Sequence, residues 1–201
     1  MTASDLYLAT PFLQDGEAFL PDLVRGLAAQ PPAALLLRLA DAPESRLITQ
    51  IQKIQPLVQA QDIALMLEDR PALALKTGCD GVHLSTGFTA SSVRDVRKSI
   101  GDALQLGVAV GASRDAAMRA GEDGADYVCF SAEGAEGTAQ DEDDPEDLTA
   151  LVRWWCLMME LPAVVLAPEP TDVAGFVQAG ADFIMPAATF WAHPQDWPSL
   201  A

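Results

Sequence analysis

Short, β-rich apolar runs alternate along this chain with longer segments of helical period, and this alternation constrains the fold more than any other feature. It is the pattern of repeated strand–helix units built around a parallel sheet. The strand candidates are Leu6–Thr10, Ala33–Arg38, Ile63–Leu67, Gly81–Leu84, Leu104–Ala109, Asp126–Phe130, Ala163–Ala167 and Phe183–Met185. Helix candidates lie among them at Glu44–Gln59, Ala90–Ser99, Arg114–Glu122, Asp147–Glu160 and Thr171–Ala179, with Ser91, Ser92 and Thr171 available as caps. Three helical segments run out in a shared phrase, Gly78-Cys79-Asp80, Gly124-Ala125-Asp126 and Gly180-Ala181-Asp182, in which the glycine can supply the left-handed residue that ends a helix. Eight such units predict a compact (β/α)8 TIM barrel occupying residues 1–201 as a single domain, with short helices and loops. A doubly wound open sheet is the alternative, since periodicity alone does not force closure.

The charge balance narrows the function. Twelve Lys and Arg against 29 Asp and Glu leave a net charge of −17, which would meet nucleic acid or an anionic membrane with repulsion. The expected partner is a small molecule, and an anionic one would need a local basic pocket. Cys79, Cys129 and Cys156 are scattered and show no zinc spacing, as suits reduced packing thiols in a cytoplasm. No segment approaches the roughly 18 consecutive apolar residues of a membrane helix. Ser131–Glu146 contains no Lys or Arg and six Asp or Glu besides its closing Glu146, so it predicts a solvated, mobile acidic loop after the sixth strand. Trp154-Trp155 together with Leu157, Met158 and Met159 gives the helix there a broad apolar face, more than one sheet face need cover, and allows a homodimer. Phe190, Trp191 and Trp197 are expected across the barrel bottom or on a partner subunit.

In a (β/α)8 barrel the chemistry sits just after the strands. The informative residues are therefore Thr10, Arg38, Glu68-Asp69-Arg70, His83, Ser85-Thr86, Ala109, Gly111, Ser131, Ala167-Pro168-Glu169 and Pro186-Ala187. Glu68-Asp69-Arg70 offers carboxylates for metal or acid–base work beside a cation; alternatively, Arg70 pairs with a carboxylate across the rim and opens the next helix. Adjacent strand residues point to opposite faces, so only one of Glu68 and Asp69 can face the mouth. His83 could act as a general base, or be a buried, hydrogen-bonded structural imidazole. Arg38, a cation on an apolar strand, must reach a ligand or a carboxylate such as Asp69 or Glu68.

Several phrases in order resemble the thiamine phosphate synthase family and its thiazole tautomerase relatives. They are Leu6-Tyr7-Leu8-Ala9-Thr10-Pro11, Arg38, Asp69-Arg70, Ala72-Leu73-Ala74-Leu75, Gly78-Cys79-Asp80-Gly81-Val82-His83-Leu84, Gly124-Ala125-Asp126-Tyr127 and Gly180-Ala181-Asp182. The resemblance implies a compact (β/α)8 barrel and a transferase of thiamine biosynthesis. In its reaction an aminopyrimidine pyrophosphate held by Mg2+ loses pyrophosphate to give a carbocation that a thiazole phosphate captures. It further implies Arg38, Arg70 and Thr10 as substrate-binding residues, His83 as the catalytic candidate, and Asp69, the mouth-facing carboxylate, with Glu68 at the metal.

Against that pattern the ligand-handling positions are altered. The family's Gln-x-Arg-x-Lys falls on Leu36, Arg38 and Ala40, its Asn-Asp on Glu68 and Asp69, and its Gly-Gln-x-Asp on Ser85, Thr86, Gly87 and Phe88. Phenylalanine cannot ligate magnesium, which wants oxygen. The fifth-strand serine falls on Ala109, the tautomerase histidine on Gly111, and the seventh-strand Gly-Gly on Ala167-Pro168-Glu169, where Pro168 has no N–H to give a phosphate. The expectation is a divergent family member with weak or no synthase activity. The alternatives are a non-catalytic small-molecule-binding or regulatory barrel, or an enzyme re-purposed to a less phosphorylated substrate.

Overall fold

The computed structural model of the chain describes residues 4–132 and 147–200. The acidic loop expected at Ser131–Glu146 falls outside them from residue 133 onward. The strands are β1 (Asp5–Ala9), β2 (Ala34–Leu37), β3 (Ala64–Glu68), β4 (Gly81–Leu84), β5 (Gln105–Gly111), β6 (Tyr127–Phe130), β7 (Ala163–Ala167) and β8 (Phe183–Pro186). All are parallel, and β8 pairs back onto β1 through Asp5–Phe183 and Leu6–Ile184, so the barrel is closed and the open-sheet alternative falls.

The helices are α1 (Gly16–Ala29), α2 (Glu44–Gln59), α3 (Pro71–Thr77), α4 (Val93–Ile100), α5 (Arg114–Glu122), α6 (Leu148–Met158) and α7 (Val173–Ala179). Side-chain caps start several of them: Asp15 accepts from the Glu17 N–H, Ser92 from Asp95 and Ser113 from Ala116. At α7 the expected Thr171 cap is not used. A 3₁₀ turn at Pro170–Asp172 precedes that helix, closed by a reciprocal capping box between Glu169 and Asp172.

The Gly-x-Asp phrase has a specific structural cause. Gly78 and Gly180 take positive φ as helix C-caps and Gly124 does so one residue past Asp123, turning the chain toward the next strand. Each following aspartate then grips the preceding strand twice. Asp80 donates its N–H to the Leu65 carbonyl while its Oδ2 accepts the Leu65 N–H at 2.7 Å. Asp126 does the same with Leu106, and Asp182 with Ala163, at 2.7 and 2.8 Å. The phrase is a clamp at the N-terminal end of the barrel, joining β3 to β4, β5 to β6 and β7 to β8.

The apolar side chains divide as the alternation of strands requires. Leu8, Leu35, Leu37, Leu65, Leu67, Val82, Leu106 and Val128 point outward into a layer shared with the helices. Tyr7, Leu36, Met66, Tyr127, Cys129, Val164 and Met185 fill the barrel interior. Interior volume is matched by glycine: a Cβ on Gly107 would lie 2.0 Å from the Tyr127 ring.

No eighth α-helix follows β8 among the described residues. Turns at Ala188–Trp191 and Pro194–Asp196 run along α1 instead. Trp191 meets Phe19 edge to face, donates Nε1–H to the Ala9 carbonyl and fits over Gly26, while Gln30 at the end of α1 donates to the carbonyls of Pro194 and Trp197. Phe190 and Trp191 thus pack on the flank of α1, and Trp197 lies at its C-terminal end. On α6, Trp155 is buried against Phe130, whereas Leu157 and Met158 are 77% and 66% exposed. None of the helices of the described residues is long and apolar enough to cross a membrane.

Candidate functional site

The mouth is the end of the barrel where the strands finish, and the structure brings Thr10, Arg38, Glu68, Asp69 and His83 there. Arg38 follows β2 at an inward position. Its Nε donates to Glu68 Oε1 at 3.1 Å, and its guanidinium lies 4.1 Å from the centre of the Phe12 ring, a cation–π contact. Thr10 is buried, and its Oγ1 accepts the Arg38 N–H at 3.0 Å. Its place is therefore beneath the mouth, holding the Arg38 backbone.

Which carboxylate faces inward differs from the expectation. Glu68 is the last residue of β3, is buried and points to Arg38; burial raises its pKa, and the Arg38 charge opposes that shift. Asp69 leaves the strand with φ of +55°, which breaks the alternation. Its carboxylate turns to β4 and accepts both the backbone N–H of Ser85 at 2.7 Å and its hydroxyl at 2.6 Å. Arg70 precedes α3 and reaches across the rim to Asp41 at 2.8 Å and to the Leu39 carbonyl at 3.2 Å. It joins the outer rim and not the Arg38–Glu68 pair.

His83 is buried on β4, in register with Glu68 on one side and Gly107 on the other. Its Nδ1 lies 3.0 Å from the Tyr127 hydroxyl, which lies 2.7 Å from the hydroxyl of Tyr7. Burial lowers the His83 pKa to about 4, with the nearby Arg38 charge acting in the same direction. The ring is therefore neutral at pH 7. The two tyrosines are the site residues missed from sequence: each sits at an inward strand position, a place that reads equally well as core. Burial raises the pKa of both hydroxyls far above the ordinary tyrosine range.

Among the described residues the oxygen donors are not grouped as a magnesium ion requires. Glu68 is occupied by Arg38 and Asp69 by Ser85, while Phe88 packs against the main core where the resemblance implies a second metal carboxylate. Among the described residues no three His, Cys, Asp or Glu side chains assemble as a metal-holding group. After β7, Pro168 offers no N–H, and Glu169 is spent on the cap of the following turn.

Fold and mouth together define a compact (β/α)8 barrel with an internally paired ligand end. The family model described as thiamine monophosphate synthase matches residues 6–188. The thiamine-phosphate synthase of Rhodospirillum centenum is 43% identical over 197 residues, covering 96% of this chain and 92% of that protein. That of Hyphomonas neptunium is 34% identical over 202 residues, covering 98% and 89%. Among solved structures, thiamine phosphate pyrophosphorylase from Pyrococcus furiosus superposes with a TM-score of 0.70 at 21% identity, covering 90% of this chain and 84% of its own. The chain belongs to the thiamine monophosphate synthase family.

Proposed function

We propose that this family member has lost the synthase reaction and keeps its mouth as a binding site for a small molecule carrying less phosphate than the synthase substrates. The observation that carries the reading is the Arg38–Glu68 pair at 3.1 Å. The one cation retained from the family's second-strand phrase is neutralised by a buried carboxylate, so the mouth offers little net attraction for pyrophosphate. Supporting it are Ala40, Phe88, Ala109 and Pro168 at positions where the family places a lysine, a metal carboxylate, a serine and a phosphate-binding glycine. The three cysteines, all free, support placing the protein in a reducing cytoplasm.

The transition state of the synthase reaction separates anionic pyrophosphate from a cation and so depends on these contacts more than the ground state does. At roughly 1.5–3 kcal/mol per charge-assisted contact, three losses correspond to a rate lower by about a thousandfold or more. The test is a coupled assay with the aminopyrimidine pyrophosphate, the thiazole phosphate and magnesium, with an active family member as control. Turnover within about tenfold of the control would overturn the proposal. A parallel melting series compares magnesium pyrophosphate with the thiazole alcohol lacking phosphate, because a ligand that binds only the native state must raise the melting temperature. Stabilisation by the unphosphorylated compound and not by pyrophosphate is expected; the reverse order counts against the reading.

A further inference from the structure

We infer that Tyr127, held in place by Tyr7, is a positioning residue that fixes His83 as its neutral Nε2–H tautomer, so that the mouth presents an uncharged hydrogen-bond donor to an acceptor atom of the ligand. The argument is a count of protons. Three side-chain atoms form a chain through the barrel interior: the Tyr7 hydroxyl, the Tyr127 hydroxyl and His83 Nδ1, with separations of 2.7 and 3.0 Å. All three residues are buried, and the Tyr7 hydroxyl has no partner other than Tyr127 among the described residues.

If Tyr127 donated to Tyr7, the Tyr7 proton would be left without an acceptor in the barrel interior, an arrangement that costs the full desolvation of that group. Tyr7 therefore donates to Tyr127. The Tyr127 proton then has one acceptor within reach, Nδ1 of His83, and that nitrogen must carry no hydrogen. A charged imidazolium is excluded on the same grounds, because its Nδ1–H and the Tyr127 O–H would point at each other. The ring's single proton is on Nε2.

Nε2 makes no hydrogen bond with the described residues. It is thus the ring atom left open, on a residue flanked by Glu68 and Gly107 near the strand ends. A tautomer fixed from below converts an ambiguous imidazole into a defined donor. The chemistry it selects is a carbonyl oxygen or an unprotonated ring nitrogen, and it disfavours a group that must itself donate. The inference deepens the proposed binding mouth by naming the polarity of one of its contacts, and rests on that reading for the ligand alone.

The experiment is a nitrogen–proton correlation spectrum of the full chain labelled with 15N-histidine, assigned by comparison with His193→Gln, the other histidine being exposed. At pH 7 the His83 pattern is expected to be that of a neutral ring with unprotonated Nδ1 and protonated Nε2. A native Nδ1–H tautomer, or a charged ring, overturns the inference. In Tyr127→Phe the nitrogen loses its donor, and the single tautomer is expected to give way to a mixture; an unchanged tautomer would assign the positioning to something else and also overturn it. Should that variant not fold, Tyr7→Phe takes its place: Tyr127 still has Nδ1 as its acceptor, so Nε2–H is retained, and appearance of Nδ1–H overturns the inference. The spectrum needs neither ligand nor turnover. Synthase activity in the coupled assay would therefore defeat the proposed function while leaving this result standing.

Discussion

His83 and Glu68 face each other across neighbouring strands, and burial moves their proton affinities in opposite senses. For His83 the folded pKa of about 4 lies below the ordinary value of 6.5, so the unfolded chain binds more protons in between. Stability from this group is complete above pH 6.5 and is lost as the pH falls toward 4. Its size is on the order of 3 kcal/mol at 1.36 kcal/mol per unit. Glu68, raised by burial, works the other way: its charged form is disfavoured in the fold, so acidification toward its ordinary range relieves a penalty. Urea unfolding of the native protein and of His83→Gln at pH 7 and pH 4.5 separates the two, and the native protein should lose more stability on acidification than the variant does. A pair of parallel curves would show that His83 is not held neutral by burial. At this scale the sequence disclosed residues that the structure brings together at the strand ends, without their partners. Arg38, Glu68 and His83 stood out because charged or titratable groups on apolar strands need partners. Tyr7 and Tyr127 did not, since an aromatic side chain at an inward position gives no sign of what its hydroxyl meets. Nor could strand alternation foresee Asp69, whose positive φ takes it out of the pattern.

The elements obey local rules closely enough that single substitutions have defined costs. Asp182 binds the Ala163 N–H with its side chain and the Ala163 carbonyl with its backbone. Asp182→Ala leaves the first of these groups unpaired and is expected to cost about 1–3 kcal/mol. Asp182→Asn, which keeps an acceptor oxygen, is expected to cost less; denaturant unfolding of the two variants checks the order. Gly107→Ala should be more damaging. Its Cβ would lie 2.0 Å from a Tyr127 ring that is fixed on both sides by hydrogen bonds, so the loss should reach about 3 kcal/mol, the upper end for overpacking. A variant as stable as the native protein would mean that the interior can shift by more than its packing suggests. The strands and the Gly-x-Asp repeats were legible because period and punctuation agree there. Helix α1 was not: Pro21, Gly16 and Gly26 interrupt its pattern, and its stability comes from tertiary partners such as Trp191 over Gly26. The C-terminal turns escaped too, since nothing local states that a missing helix is replaced by aromatic packing on α1.

Across the whole molecule, a net charge of −17 on 201 residues is a standing repulsion that salt screens. The melting temperature is expected to rise between about 10 and 150 mM sodium chloride, where the Debye length shortens from about 30 to about 8 Å. A melting temperature that falls with salt would mean that the surface ion pairs, such as Arg94–Asp123 at 2.7 Å, outweigh the repulsion. The barrel was legible from eight strand candidates alternating with helical segments, although closure itself needed the β1–β8 pairing to establish.

The aspartate clamps and the Arg38–Glu68 pair lie at opposite ends of the strands. The contacts that join the strands and the residues at the mouth are therefore separately editable. Substitutions at the mouth leave the clamps that close the scaffold in place. For protein engineering the same separation makes it a chassis: new side chains can be set at positions 38, 68, 83 and 109 without touching the three joints that hold the strands in register.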